Sequence, residues 1–114
     1  MKEIFAQGDL LIERVLDVVP SGRIAQNSDG AAMVLAEGEA TGHRHAIWER
    51  VIMFRDDGLA RDIPADLYVG HVKIDAPSAR VTHDEHAPLT LPRGTYRVRR
   101  QRELEPRDAR IVAD

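Results

Sequence analysis

Short apolar runs, each closed by a cluster of turn-forming residues, set the pattern of this chain. The turn signals are Pro20-Ser21-Gly22, Asn27-Ser28-Asp29-Gly30, Asp56-Asp57-Gly58, Ala76-Pro77-Ser78 and Pro92-Arg93-Gly94. Between them the spacing predicts strands rather than helices, because no run repeats its apolar positions at helical intervals. Leu10–Val15 reads as a strand led in by Gly8-Asp9, and 31–36 as a compact buried one. Residues 47–55, carrying Ile47, Val51 and Phe54, run into Asp56-Asp57-Gly58, and 59–63 completes a hairpin. Residues 67–74 are strongly β in composition, and 80–83 and 89–91 are short strands. Over 95–102, Tyr96 and Val98 alternate with Arg97 and Arg99. The expectation is an all-β fold, a small β-barrel or sandwich formed by residues 1–114 as a single domain. The 17–20 stretch and the tail after Pro106 fit no element.

A length of 114 residues suits one domain with one core. With 43% hydrophobic and 31% charged residues the chain is of the folding kind, and with 4% aromatics its core must rest on Val, Ile, Leu and Ala. A net charge of −3 speaks against a field built for nucleic acid or anionic lipid. The basic run Arg97, Arg99, Arg100 and Arg102 reads as a solvated face paired with acids, Glu103 and Glu105 being close by. Aromatics for base stacking are also few, so no nucleic-acid partner is expected. No stretch approaches the ~20 apolar residues of a membrane helix, and the first residues lack the apolar core of a signal peptide. A cytoplasmic protein without a membrane partner is the expectation.

The absence of cysteine removes thiolate chemistry. A metal ion would have to sit on imidazole and carboxylate, which suits Zn, Fe(II), Mn, Ni or Cu. Four of the five histidines fall in two tight groups. These are Thr41-Gly42-His43-Arg44-His45-Ala46-Ile47-Trp48-Glu49 and Thr82-His83-Asp84-Glu85-His86. In a strand, side chains two apart share a face, so His43 and His45 point together, and Glu49 joins them if the strand continues. His83 and Glu85 share a face in the same way, and His86 joins if the chain turns before Pro88. Gly42 would permit an unusual φ beside His43. The predicted metal ligands are therefore drawn from six positions: His43 and His45, a third donor from His83 or His86, and a fourth from Glu49 or Glu85. Asp9, Asp84 and Glu85 are candidates for general acid–base work. Trp48 reads as a core anchor or as an apolar wall beside the ion, and His71, alone on a strand, as structural or exposed. No Ser-His-Asp order or phosphate-binding glycine loop is present.

The first histidine group resembles the first motif of the cupin family, a glycine followed by His-x-His and then Glu. Gly38, His43, His45 and Glu49 carry the likeness. It implies a small β-barrel with a divalent ion (Zn, Fe, Mn or Ni) held by His43, His45 and Glu49. The second cupin motif departs from the pattern: Pro92-Arg93-Gly94 is present, but Arg97 stands where its histidine belongs. The chain also resembles a group of small uncharacterised bacterial proteins. They share Gln-Gly-Asp (Gln7 to Asp9), Gly-Glu-Ala-Thr-Gly-His-x-His (Gly38 to His45), His-x-Glu-His (His83 to His86) and Gly-x-Tyr-x-Val (Gly94 to Val98).

Two functional classes follow. One is a metal centre in a small barrel, with room for a small-molecule ligand at an open coordination position if the ion is catalytic. The other is a non-catalytic binding or assembly module with structural histidines. That module would be a homodimer joined at a strand edge, or a GroES-like barrel, since Gly8 to Val15 is similar to the first strand of co-chaperonins.

Overall fold

Alternating buried and exposed side chains carry the chain into antiparallel strands, and no α-helix occurs among the described residues. The computed structural model describes residues 3–38 and 42–101. The strands are β1 (Ile4–Gln7), β2 (Leu10–Val15), β3 (Arg23–Gln26), β4 (Met33–Glu37), β5 (Arg44–Ile47), β6 (Ile52–Arg55), β7 (Tyr68–Thr82) and β8 (Leu89–Arg100). They form one sheet in the order β1-β2-β8-β7-β5-β4. The second edge of β7 is shared: residues 71–73 pair with β6, which in turn pairs with β3, and residues 81–82 pair with β5. The all-β expectation is met.

The β7–β8 ribbon is the spine. Ala76-Pro77-Ser78 and Pro92-Arg93-Gly94, read above as chain reversals, instead lie opposite each other within it. From Ile74 to Ser78 β7 takes four steps against the two of β8 from Gly94 to Pro92. A proline has no N–H to give to a ladder, so the two prolines sit where the register slips, and the slip bends the ribbon without ending it. Hence the separately predicted 67–74 and 80–83 are one strand, and so are 89–91 and 95–102 as far as Arg100.

The bend curls the sheet, so its two ends share one core. Phe5, Leu10 and Ile12 from one end pack with Met33, Leu35 and Ala36 from the other, around Val72, Ile74, Val81, Leu91, Tyr96 and Val98. Tyr96 and Val98 are fully buried, as their alternation with Arg97 and Arg99 predicts. The sheet does not close into a barrel, because β1 and β4 remain its terminal strands. Side chains bridge where the ladder does not. Gln7 Nε2 donates to the Val81 carbonyl (3.0 Å), and Arg100 Nη2 donates to the Glu37 carbonyl (2.9 Å).

Two local expectations are corrected. The predicted strand 47–55 is broken into β5 and β6, because the Asn27 side chain takes over its backbone between them. Asn27 Oδ1 accepts from the Val51 amide (2.9 Å) and Nδ2 donates to the Glu49 carbonyl (2.9 Å). The hairpin predicted over 56–63 is absent. Asp56 accepts from the Gly58 amide (2.9 Å) and winds Asp57–Leu59 into a 3-10 turn. Ala60 and Ile63 then pack with Leu67 and Tyr68 in a small second core.

Candidate metal centre

The two histidine groups, 40 residues apart in sequence, meet at one end of the curled sheet. The Gly8-Asp9 turn between β1 and β2, the start of β5, and loop 83–88 between β7 and β8 converge there. The reason lies in the β5–β7 ladder. Ala46 pairs with Thr82, so one step beyond it His45 comes beside His83. The His83 ring centroid is 4.4 Å from that of His45, 4.6 Å from that of His86 and 5.7 Å from that of His43. Carboxylates border the group. Glu85 Oε1 is 3.2 Å from His43 Nδ1, and Asp9 Oδ1 is 3.6 Å from His45 Nε2. Arg100 holds the other Asp9 oxygen at 3.1 Å.

A family sequence profile matches residues 6–101, from within β1 to just past β8, and so spans every residue of this cluster. The chain belongs to the family described as Domain of unknown function (DUF8820). Comparison with curated proteins and with solved structures finds no match for the chain.

In this DUF8820 chain the hydrogen bonds specify which ring nitrogen carries the proton. Gln7 is buried, and its Nε2 donates to two carbonyls, those of Val81 (3.0 Å) and Ala87 (2.9 Å). That fixes which end of the amide is oxygen, so Oε1 must accept from His45 Nδ1 at 2.8 Å. The His45 lone pair is thereby placed on Nε2, the nitrogen toward Asp9. A ligand histidine is commonly oriented in this way, with its second nitrogen donating to an acceptor behind it. Burial, reinforced by the nearby His83, lowers the His45 pKa to about 4, so the ring is neutral at neutral pH. His43 has the same sense, with Nδ1 against the Glu85 carboxylate. His83 has the opposite sense: its Nδ1 accepts from the amides of Glu85 (3.0 Å) and His86 (3.3 Å).

Gly8 is required at this point. Its φ is +61°, and a Cβ there would lie 2.9 Å from His86 Nε2 and 3.4 Å from His45 Cε1. Replacing Gly8 with Ala is expected to cost about 1–2 kcal/mol for the left-handed backbone and to push the His86 ring out of the cluster. Urea unfolding and the His86 imidazole NMR shifts measure the two effects separately.

Four of the six predicted ligand positions come together as histidines, and Glu85 joins them. Glu49 does not. β5 ends at Ile47, so the face-sharing argument does not reach Glu49, whose Oε1 accepts from the Arg80 amide (3.1 Å) along the β5–β7 edge. Trp48 is 55% exposed and is no core anchor. Gly42 has the expected positive φ, +73°. His71 is buried, with Nδ1 2.7 Å from the Tyr68 hydroxyl and its ring stacked on Phe54, so of the two readings, structural or exposed, the structure has the first. Arg97 is paired with Glu13 (2.7 Å) and Asp62 (2.8 Å), and Arg100 with Asp9 (3.1 Å), so these two of the basic run meet acids, though not Glu103 or Glu105. Arg102, Glu103 and Glu105 lie outside the described residues. Gln7 entered the sequence reading only as part of the shared motif, with no role, and Asp9 was given only the role of an acid–base candidate, not of a metal donor. The shared Gln7-Gly8-Asp9 motif was the available signal for both.

Among the described residues no group of three or more His, Asp or Glu side chains is placed to hold a metal ion. The donors are instead turned to one another and to backbone amides. In chemistry the set fits a borderline divalent ion, since it offers neutral imidazoles with carboxylates beside them. In geometry, the side chains as they stand do not converge on one ion. A groove of about 640 Å³ lies elsewhere, between Arg14, Leu16, Val18, Leu59, His71 and Arg97, and its lining includes none of the four clustered histidines.

Proposed function

We propose that this protein binds one divalent transition-metal ion through His43, His45 and His86, with Asp9 or Glu85 completing the set. The observation that carries the reading is the meeting of both histidine groups on one side of the sheet, with His45 buried, neutral and held by Gln7 in the tautomer that turns Nε2 to the cluster. Such an ion would supply Lewis-acid or oxygen-activating chemistry at any open position. The residues' own part is to orient the donors and, through Gln7 and the surrounding core, to keep water from the inner side of His45.

A cupin-like arrangement is part of this reading, supported by the His43-x-His45 pair at the mouth of a curled antiparallel sheet. The departure at position 97 then has an account: Arg97 is committed to Glu13 and Asp62, and the further imidazole comes from loop 83–88. A second reading, a non-catalytic module in a cytoplasmic setting, is favoured by one observation, that the 640 Å³ groove is not lined by the clustered histidines.

Elemental analysis of protein purified without a histidine tag tests the proposal. About one equivalent of metal is expected in the wild type, with loss of at least about a hundredfold in affinity in the His43→Ala/His45→Ala variant. Equal metal in both, or none in the wild type after reconstitution, overturns it.

A further inference from the structure

A row of side chains crosses the face of the sheet opposite the main core. Glu13 pairs with Arg97, Arg97 with His71 and His71 with Phe54, so the four stand in line across β2, β8, β7 and β6. Two residues on, Val15, Thr95 and Lys73 form the next row. Segment 16–18 is tied down there. Thr95 Oγ1 donates to Asp17 Oδ1 (2.5 Å), and Lys73 Nζ is 3.5 Å from the same oxygen. The groove of about 640 Å³ lies beside this segment. His71 and Arg97 are in its lining, with Leu59 from the 3-10 turn and Leu16 and Val18 from the tied segment.

His71 is only 2% exposed, yet it lines this groove. Its ring is fixed on two sides: Nδ1 is 2.7 Å from the Tyr68 hydroxyl, and one face is stacked on Phe54. The Tyr68 oxygen accepts from the Asp56 amide (3.2 Å). Its single proton has two possible acceptors, His71 Nδ1 at 2.7 Å and the Asp56 carbonyl at 3.4 Å. The shorter contact takes it, so Nδ1 accepts and, in the neutral ring, Nε2 carries the hydrogen. Burial first, and then Arg97, lowers the His71 pKa and keeps the ring neutral. Nε2 meets no acceptor in the protein. It is also not one of the shut-in unpartnered atoms, which among the described residues belong to Gln101 alone. The open side of the ring is therefore the groove, and it presents a hydrogen-bond donor.

We propose that this groove binds an uncharged, mainly apolar small molecule through one carbonyl oxygen, which accepts from His71 Nε2–H while the hydrocarbon body lies on Leu16, Val18 and Leu59. The charge class follows from the cations. Arg97 is closed between Glu13 (2.7 Å) and Asp62 (2.8 Å). Arg14 is paired with Glu3 (3.1 Å) and donates to the Arg93 carbonyl (2.6 Å). An anion would have to displace a carboxylate, and a cation would meet two guanidinium groups. The apolar body follows from the walls: Leu16 is 88% exposed, and covering it removes apolar surface from water. The volume is that of a small-molecule site, where a few polar groups fix the orientation of an apolar ligand. None of the clustered histidines lines the groove, so the proposal does not depend on a metal ion.

Titration with benzophenone, followed by methyl and imidazole NMR signals, tests the proposal. The ketone is expected to shift the signals of Leu16, Val18, Leu59 and His71. Diphenylmethane has the same two rings and no acceptor. It is expected to bind about three- to tenfold more weakly, the scale of one neutral hydrogen bond. Diphenylacetate is expected to bind at least about tenfold more weakly, because its charge finds only cations that are already paired. Leu16→Ser changes a side chain that stands in water, so the fold is kept, and the ketone is expected to weaken about fivefold or more. His71→Phe keeps a ring on Phe54 and removes the donor, which is expected to bring the ketone down to the affinity of the hydrocarbon. If that variant does not fold, the ketone and hydrocarbon pair decides the point in the wild type. Groove signals that stay still up to the solubility of the ketone, or a ketone affinity unchanged in Leu16→Ser, overturn the proposal. Equal affinity for ketone and hydrocarbon overturns the part given to His71 and with it the carbonyl class. Tighter binding of diphenylacetate overturns the uncharged class.

Discussion

Replacing Gln7 with Leu is expected to destabilise the fold by about 4 kcal/mol and to weaken metal binding about ten- to a hundredfold. Gln7 is only 3% exposed, and its amide meets three partners: the carbonyls of Val81 and Ala87 and Nδ1 of His45. Leucine matches its size closely enough to leave little cavity, so the cost comes from the orphaned groups. The Val81 carbonyl and the His45 imidazole N–H lose their partners in buried surroundings, at roughly 1–3 kcal/mol each, while the part-buried bond to the carbonyl of exposed Ala87 adds less. The three bonds also tie β1 to β5, β7 and loop 83–88 across the gap where the sheet has no ladder, so the loss falls on the seam of the fold. The metal effect follows from the same change. Without an acceptor behind it, His45 can flip or change tautomer, and its lone pair is no longer held toward Asp9. Urea midpoints and Co²⁺ titration read the two effects. A Gln7→Leu protein of wild-type stability would show that these bonds contribute nothing, and wild-type metal affinity would show that His45 needs no orientation.

Acid is expected to weaken the metal-free fold between about pH 6.5 and about pH 4, by on the order of 3 kcal/mol from His45 alone. The ordinary imidazole pKa is 6.5, and burial, with His83 nearby, lowers that of His45 to about 4 in the fold. Above 6.5 the ring is neutral in both states and its contribution is complete. Between the two values the unfolded chain takes up a proton that the folded chain refuses, so stability falls with pH. Below about 4 both states are protonated and the loss is finished. His71 adds in the same direction, because its pKa is lowered first by burial and then by Arg97. A bound ion moves the same window into metal affinity, since a protonated His45 cannot ligate. Urea midpoints of the metal-free protein at pH 7.5 and pH 5 check the slope, and His45→Gln is expected to flatten most of it. A slope unchanged in that variant would place the acid sensitivity elsewhere.

The all-β class was legible because alternation is a local property. Tyr96 and Val98 against Arg97 and Arg99 show the inward and outward faces of β8 without any knowledge of its neighbours. Leu10–Val15 was found for the same reason. β3 was missed because all four of its residues are exposed and no alternation marks it. The turn residues misled in a specific way. Proline and glycine announce that a ladder must be irregular, but they do not say whether the chain reverses or the ribbon bends. That depends on what lies opposite, and here Ser78 faces Pro92 and Ile74 faces Gly94.

The candidate site divides along the same line. His-x-His and His-x-Glu-His could be read off the chain, since residue type and spacing are enough to nominate metal donors. Which donors serve could not, because it depends on contacts between distant segments. The pairing of Ala46 with Thr82 sets the two histidine groups side by side, and the end of β5 at Ile47 leaves Glu49 on the Arg80 amide. Gln7 fixes the proton of His45 from 38 residues away, while the amides of Glu85 and His86 fix that of His83 the other way round. By itself the sequence determined the strand character, the absence of thiolate chemistry and the imidazole donors, all of which follow from side-chain chemistry and local periodicity. The tertiary structure alone decided the bend of the spine, the open seam and the direction of each histidine lone pair, because hydrogen bonds between remote segments exist only once the sheet has curled.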